Sequence, residues 1–442
     1  MSVETIPGLH LKGARLLDPG AGIDEVGDLL VREGRLERLE GAAPEGVRVL
    51  DVSGRTVVPG FFDIHVHLRE PGGEESETIA SGCAAAIRGG VTTLYCMANT
   101  NPTNDDPTVT RLILRKAEEA GGLVDVRPVS AVTHGLRGDD LVDFESQAAS
   151  GAGAFSDDGR PVLSDDIMAR AMVWAAKLGK PLFSHAEDES LAAGGAIRES
   201  DVSRALGVKG IPAEAESAAV ARDIEISRRT GAPVHICHVS TAGSVRLIRD
   251  AKAEGLPVTG ETTPHHLTLT VESLRGGDPN HKMNPPLGDD EDRAEVRRGL
   301  AEGVFDAIAT DHAPHAKSLK TTGLGTAAFG VVGMETMLPV LVTHVVEEGL
   351  LDLAGVIRLL TTGPAGVVGR PAASLVPGSR ANLNVLDLET PWTIDVDRFA
   401  SRSRNCPFDG WPVRGSVRFS IVGDRLVDHG EPGSRAEAHE TA

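Results

Sequence analysis

Aromatic side chains are scarce in this 442-residue chain: Phe, Trp and Tyr together make up 3% of it, with one tyrosine and three tryptophans. A close-packed interior must therefore be assembled from Ala, Val, Leu and Ile. No run reaches the roughly 18 consecutive apolar residues of a membrane-crossing helix, and the opening "MSVETIPGLH" has no basic-then-apolar signal pattern. Positive charge is also short. Lys and Arg number 44 against 64 Asp and Glu, a net charge of −20, which argues against a nucleic-acid-binding face. An anionic substrate would need a cation built into its own site. Cysteine is limited to Cys83, Cys96, Cys237 and Cys406, none in a CxxC pair, as expected of buried free thiols in a reducing cytoplasm.

What the chain does have is order. Residues 1–56 read as short strands broken by turns, as in "LHLKGARLLDP" and "VRVLDVSGRTV". Over residues 57–370, strand-like runs such as "VTTLYCM", "KPLFSHAED", "APVHICHVS" and "DAIATDHAPH" alternate with helical patterns such as "SDDIMARAMVWAAKLG" and "AEAESAAVARDIEISRRTG". That is a repeated βα order with about eight strands, which can close into a (β/α)8 TIM-like barrel. Residues 371–430 return to short strands and are expected to pair with the N-terminal ones in a small β-sandwich module. Residues 431–442 read as a polar tail. The fold class is α/β.

In such a barrel the chemistry belongs at the C-terminal ends of the strands. The strand ends carry His65 and His67, the pair Asp157 and Asp158, His185, His235 and His238, and Asp311, His312 and His315. His65 and His67, at i and i+2, share one strand face about 7 Å apart and can converge on one ion. Imidazoles with carboxylates suit Zn²⁺ or a similar divalent metal. Adjacent strand residues point opposite ways, so one of Asp157 and Asp158 enters the site and the other caps the following turn. Asp157 is taken as the ligand. His65, His67, Asp157, His185, His238 and Asp311 are more donors than one tetrahedral ion uses, which favours two metals. His235 points away from His238 on a regular strand. His265 and His266 read as supporting or capping residues, and His134, His281 and His344 as solvent or packing residues.

The ordered blocks "DIHVHLREPG", "MANTNP", "FSDDG", "SHAED", "ICHVST", "TPHHL", "MNPPL", "ATDHAPH", "FGVVGMET" and "SRSRNCPF" closely resemble class I dihydroorotases of the amidohydrolase superfamily, over nearly the whole chain. The resemblance implies reversible cyclisation of N-carbamoyl-L-aspartate to dihydroorotate in pyrimidine biosynthesis. It implies a metal-activated hydroxide, with Asp311 as the catalytic proton shuttle. It assigns one zinc to His65, His67 and Asp311, a second to His185 and His238, and a bridge to Asp157 in place of the carboxylated lysine of many relatives. Arg69 and Asn99, helped by His315, would hold the substrate carboxylate beside His67. Asn284 and the backbone of Phe329 and Gly330 would contact the ring. Arg69 also makes independent sense, because its fork matches a carboxylate bidentately.

The resemblance further implies a homodimer and permits a complex with aspartate carbamoyltransferase. Three positions depart from the family pattern: Gly288 for arginine, Gly363 for asparagine and Asn382 for aspartate. The Gly- and Thr-rich stretch "AKSLKTTGLGTAAFG" reads as a lid. The competing readings are another cyclic amidohydrolase, such as a hydantoinase or allantoinase, and a non-catalytic scaffold for the transferase. Arg69, Asn99 and the aspartate bridge weigh against the first, and the complete ligand set against the second.

Overall fold

The structure, a computed structural model, describes residues 1–39 and 44–432. The two ends of the chain meet in one nine-stranded mixed sheet. Its order is Ser2–Thr5, Arg425–Asp428, Ser416–Val422, Asn382–Asp387, Thr56–Pro59, Gly8–Asp18, Ile23–Arg32 and Arg35–Arg38, with Arg48–Asp51 also paired to Gly8–Asp18. Leu9, Leu11, Leu29, Val57, Leu383, Val385, Phe419 and Ile421 come from across this sheet and share a single buried cluster. Thr56–Pro59 pairs with both Asn382–Asp387 and Gly8–Asp18. Residues 57–59 therefore belong to this sheet, and the run of parallel strands starts only after Gly60. Most of the expected tail, from residue 433 onward, lies outside the described residues.

Eight short parallel strands follow. Phe61–Val66, Val91–Cys96, Asp125–Ser130 and Ala154–Phe155 form one sheet; Phe183–Ser184, Val234–Ile236, Val258–Thr262 and Ala307–Ile308 form another. Isolated parallel bridges pair Phe155 with Leu182 and Val66 with His312, so the two sheets touch at both edges. The intervening helices start where the sequence supplies a cap. Thr78, Asp106, Ser164, Thr241 and Asp289 each accept a backbone N–H of the helix that follows, worth about 1 kcal/mol apiece.

Packing follows composition. The large core between strands and helices is mostly aliphatic. The single tyrosine, Tyr95, is buried in a separate cluster, stacked on Phe62 at 5.9 Å and edge-on to Phe183 at 6.2 Å. All four cysteines are free and buried, and among the described residues no helix is long and apolar enough to cross a membrane. Because the eight strands run in one direction, their C-terminal ends gather the loops that carry the polar residues.

Candidate metal centre and substrate cavity

His65 lies in the first parallel strand and His67 just beyond it, with ring centroids 5.5 Å apart. The backbone turns sharply where the chain leaves these strands: Arg69, His238 and Asp311 all adopt positive φ, at 59°, 37° and 44°. For non-glycine residues such geometry is held by the surrounding structure and concentrates at functional sites.

Five of the six expected ligands converge: His65, His67, His185, His238 and Asp311. The sixth is Asp158, in the place expected of Asp157. Asp158 lies 3.3 Å from His65 Nε2, 3.4 Å from His67 Nε2, 3.3 Å from His185 Nδ1 and 3.6 Å from His238 Nε2. Asp157 faces the other way. Its Oδ1 accepts the backbone N–H groups of Val132 and Thr133 at 2.7 and 3.0 Å, and its Oδ2 accepts the Thr133 hydroxyl. The sequence argument that the pair divides its duties holds, but the assignment within it is reversed.

Asp311 Oδ1 lies 3.1 Å from His67 Nε2 and 3.7 Å from His65 Nε2, and His185 Nδ1 lies 3.0 Å from His238 Nε2. The donor atoms of His65, Asp158 and His238, and those of His65, His67 and Asp311, fall within 4.8 Å of one another. His65 Nε2, His238 Nδ1 and Asp158 Oδ1 are buried without a hydrogen bond, a costly state for polar atoms that no other protein group satisfies. A set of imidazoles and carboxylates in which His65 Nε2 and Asp158 Oδ1, 3.3 Å apart, lack a hydrogen bond, with His238 Nε2 3.6 Å from the same oxygen, fits divalent metal.

The electrostatics agree. Burial works to raise the Asp158 and Asp311 carboxyls, yet the surrounding histidines hold both below the usual carboxylate range. Burial would likewise discharge His185, but Asp158 and Glu187 push it up to about 10. His238 is shifted the other way, held below the usual imidazole range by burial and by the neighbouring His185 and His65, so what the cluster secures is charged carboxylates among histidines.

The ligands open onto a cavity of about 180 Å³ lined by Arg69, Asn99, Asn284, His315, Phe329 and Gly330 together with His67 and Asp311. All seven residues expected to contact substrate are therefore in one place. Arg69 Nε donates to Pro314 O at 3.0 Å. Burial, offset by Asp311 and Asp158, brings the Arg69 guanidinium down to about 10, still cationic at neutral pH. Asn99 Oδ1 lies 2.9 Å from His67 Nδ1, which fixes the orientation of that ring. Asn284 Nδ2 donates to Glu187 Oε2 at 3.1 Å, and its Oδ1 is buried without a partner. His315 Nε2 donates to Phe329 O at 2.6 Å. Burial and the neighbouring Arg69 hold His315 down at about 3, so its ring is neutral. Gly330 has φ 131°, and a Cβ there would come within 2.7 Å of Ala313 Cβ, so glycine alone fits.

Known proteins resemble this chain over nearly its whole length. A family model described as "Dihydro-orotase-like" matches residues 54–244. A dihydroorotase of Geobacter metallireducens is 47% identical over 421 residues, covering 95% of this chain and 99% of that protein. The chain belongs to the dihydroorotase family. A dihydroorotase of Pelotomaculum thermopropionicum is 46% identical over 420 residues, covering 95% and 98%. Among solved structures, an L-hydantoinase (dihydropyrimidinase) from Arthrobacter aurescens superposes with a TM-score of 0.84 at 26% identity, over 96% of both chains. A D-hydantoinase (dihydropyrimidinase) from Thermus sp. gives 0.82 at 24%, again over 96% of both. This member of the family is thus a cyclic amide hydrolase with a small-molecule substrate.

Several residues went unread in the sequence. Glu261, on the seventh strand, places Oε1 3.0 Å from His65 Nδ1 and Oε2 3.2 Å from His235 Nε2. A carboxylate behind a ligand histidine fixes its tautomer and orientation. The signal was available: "TGETTPHHL" puts Glu261 near a strand end. Asp63, two residues before His65, accepts from Thr310 N and Oγ1 at 3.2 and 2.6 Å, tying the first strand to the approach to Asp311. Asn405, in "SRSRNCPF", bonds Ala313 O, Gly330 O and His315 N. His235 and His266 each bond a neighbouring group of the chain. His235 Nδ1 contacts Thr259 Oγ1 at 2.8 Å, and His266 Nε2 donates to Pro285 O at 3.0 Å next to Asn284.

Proposed function

We propose that this chain catalyses the reversible opening of (S)-dihydroorotate to N-carbamoyl-L-aspartate, the cyclisation direction serving pyrimidine biosynthesis. The observation that carries this reading is the joining of a complete His/Asp ligand set to a cavity whose wall is an arginine. The ligand set suits amide hydrolysis, and Arg69 suits a ring that bears a carboxylate. Two zinc ions would be held, one by His65, His67 and Asp311 and the other by His185 and His238, with Asp158 as a further carboxylate ligand. Bound metal supplies Lewis acidity, lowering the pKa of water toward neutrality and polarising a carbonyl.

The remaining work falls to side chains. Arg69 and Asn99, with neutral His315 beside them, receive the substrate carboxylate and turn the ring amide toward Asp311. Asn284 and the Phe329–Gly330 backbone hold the ring edge. Asp311 takes the proton of the attacking water as the C–O bond forms, then delivers it to the ring nitrogen as the C–N bond breaks.

The fold reading that goes with this is a closed (β/α)8 barrel, supported by the parallel bridges at both sheet edges. The single cluster shared across the nine-stranded sheet supports a curled, sandwich-like β module built from residues 1–59 and 371–430. Family resemblance supports a homodimer and a possible complex with aspartate carbamoyltransferase, and the four free cysteines suit a cytoplasmic enzyme.

The test is ring opening followed by ultraviolet absorbance, with metal content measured on the same sample before and after chelation. Metal-dependent opening of dihydroorotate, with hydantoin and allantoin left intact, is the expected result. Hydantoin opening at an equal rate would overturn it.

A further inference from the structure

Two lysines are buried beside the cavity without a carboxylate. Lys282 is 2% exposed and Lys320 5%, and neither makes an ion pair among the described residues. Lysine is almost never buried so fully unless its charge is answered. Here backbone carbonyls answer it. Lys320 Nζ donates to Lys282 O at 3.1 Å, Ala328 O at 2.8 Å and Gly330 O at 3.0 Å, which uses all three ammonium protons. Lys282 Nζ donates to Leu324 O at 2.8 Å and lies 4.3 Å over the Phe329 ring.

The carbonyls at Leu324, Ala328 and Gly330 belong to the Gly- and Thr-rich stretch that follows the short helix Lys317–Lys320, and the end of that stretch lines the cavity. Gly330 N in turn donates to Lys282 O at 3.0 Å, so one carbonyl joins the two lysine segments.

We infer that Lys320 and Lys282 are positioning residues. Their ammonium groups draw the 321–330 backbone inward and fix the Phe329–Gly330 peptide against the ring site. The inference rests on the reading of this cavity as the place where the dihydroorotate ring binds. His315 and Asn405 bond the carbonyls of Phe329 and Gly330, but neither reaches Leu324 or Ala328. There the Ala328 amide donates to Leu319 O at 3.0 Å and Leu324 shares a buried cluster with Val202 and Val271, and among the described residues the two lysines supply the side-chain hydrogen bonds that reach these carbonyls from outside the loop. Burial, together with the neighbouring charge of Lys282, brings Lys320 down to about 7, and burial brings Lys282 down to about 8. This is the electrostatic counterpart of burying amines among carbonyl dipoles with no carboxylate in ion-pair contact, the charge of Asp278 offsetting only part of the effect on Lys320.

The experiment compares Lys320→Met and Lys282→Met with the parent enzyme by hydrogen–deuterium exchange and by steady-state kinetics. Methionine keeps the side-chain length and removes the donors. For Lys320→Met, amides 321–330 should exchange at least about tenfold faster while the strand amides are unchanged. KM for dihydroorotate should rise about 10- to 100-fold with kcat nearly kept, because charged donors to three carbonyls are lost from a contact made equally in ground and transition states. Lys282→Met should move both readouts the same way by a smaller factor.

Unchanged exchange in the loop would overturn the inference, as would faster exchange with an unmoved KM. A parallel fall in kcat and metal content would assign the lysines to the metal site and also overturn it. If Lys320→Met does not fold, Lys282→Met decides by the same criteria. A parent enzyme that fails to open dihydroorotate refutes the reaction before any variant is made, and the exchange measurement still reports on the loop.

Discussion

Asp157 and Asp158 are chain neighbours beside the end of the fourth strand, both almost fully buried, yet their two sides of the strand are different environments. On one side Asp157 meets backbone amides and a hydroxyl, donors that the chain itself provides. On the other, Asp158 meets four imidazoles, and one of its oxygens has no hydrogen bond at all. The Asp157 carboxyl is pushed up to about 6, mainly by burial, whereas Asp158 is held well below the usual carboxylate range by the histidines despite its burial. A polar group that the fold satisfies completely is holding the structure together. One that the fold leaves short is waiting for something the chain does not supply.

The strongest way to break this comparison is to empty the under-satisfied side. His65→Ala or Asp158→Ala should lose bound metal and at least about 10³-fold in kcat/KM; full activity with depleted metal would remove the metal assignment. Asp311→Asn comes next. It should bind substrate and still lower kcat by about 10²- to 10⁴-fold, the range of a lost general acid–base group, and a near-normal rate would end its role as proton carrier. Arg69→Lys should raise KM for dihydroorotate about tenfold with metal content unchanged, since an ammonium cannot reproduce the bidentate fork. Unchanged affinity would mean that the carboxylate is held elsewhere. Glu261→Gln keeps the shape behind His65 and removes the charge. It should weaken metal affinity by about tenfold, read by competition with a chelator.

Much of the site was legible because the strand-end rule is geometric: histidine and aspartate recur at successive strand ends, and i, i+2 spacing fixes a shared face. The order of parallel strands was legible for the same reason. The choice between Asp157 and Asp158 was not, because the fourth strand is only two residues long. Alternation has no length over which to establish itself, and the turn after Phe155 decides the facing. Glu261 escaped although its place near a strand end was visible, because a carboxylate that acts through His65 has no paired spacing such as HxH to single it out. The departures at Gly288 and Gly363 have a steric cause. A Cβ at Gly363 would lie 2.0 Å from Asp306 O, and one at Gly288 2.5 Å from Asp292 Cβ, so close neighbours exclude a side chain. Neither residue lines the metal cavity.

The smallest effect sharpens the comparison most. In Asp157→Asn the amide oxygen can still accept from Val132 and Thr133, and the Thr133 hydroxyl, which already accepts from Gly138 N at 2.9 Å, must accept from the new amide as well. The expected cost is about 1 kcal/mol of stability at acidic pH, with metal content and turnover within about threefold of the parent, because Asp157 touches neither. The sign of the pH dependence follows from the raised carboxyl. The fold favours the protonated form, so the parent loses stability as pH rises from the unfolded value near 4 through about 6, while the asparagine variant has no such loss. The stability gap should therefore narrow, or reverse, above pH 6 in denaturant titrations. A variant that instead shed its metal would put Asp157, and not Asp158, at the centre of the site.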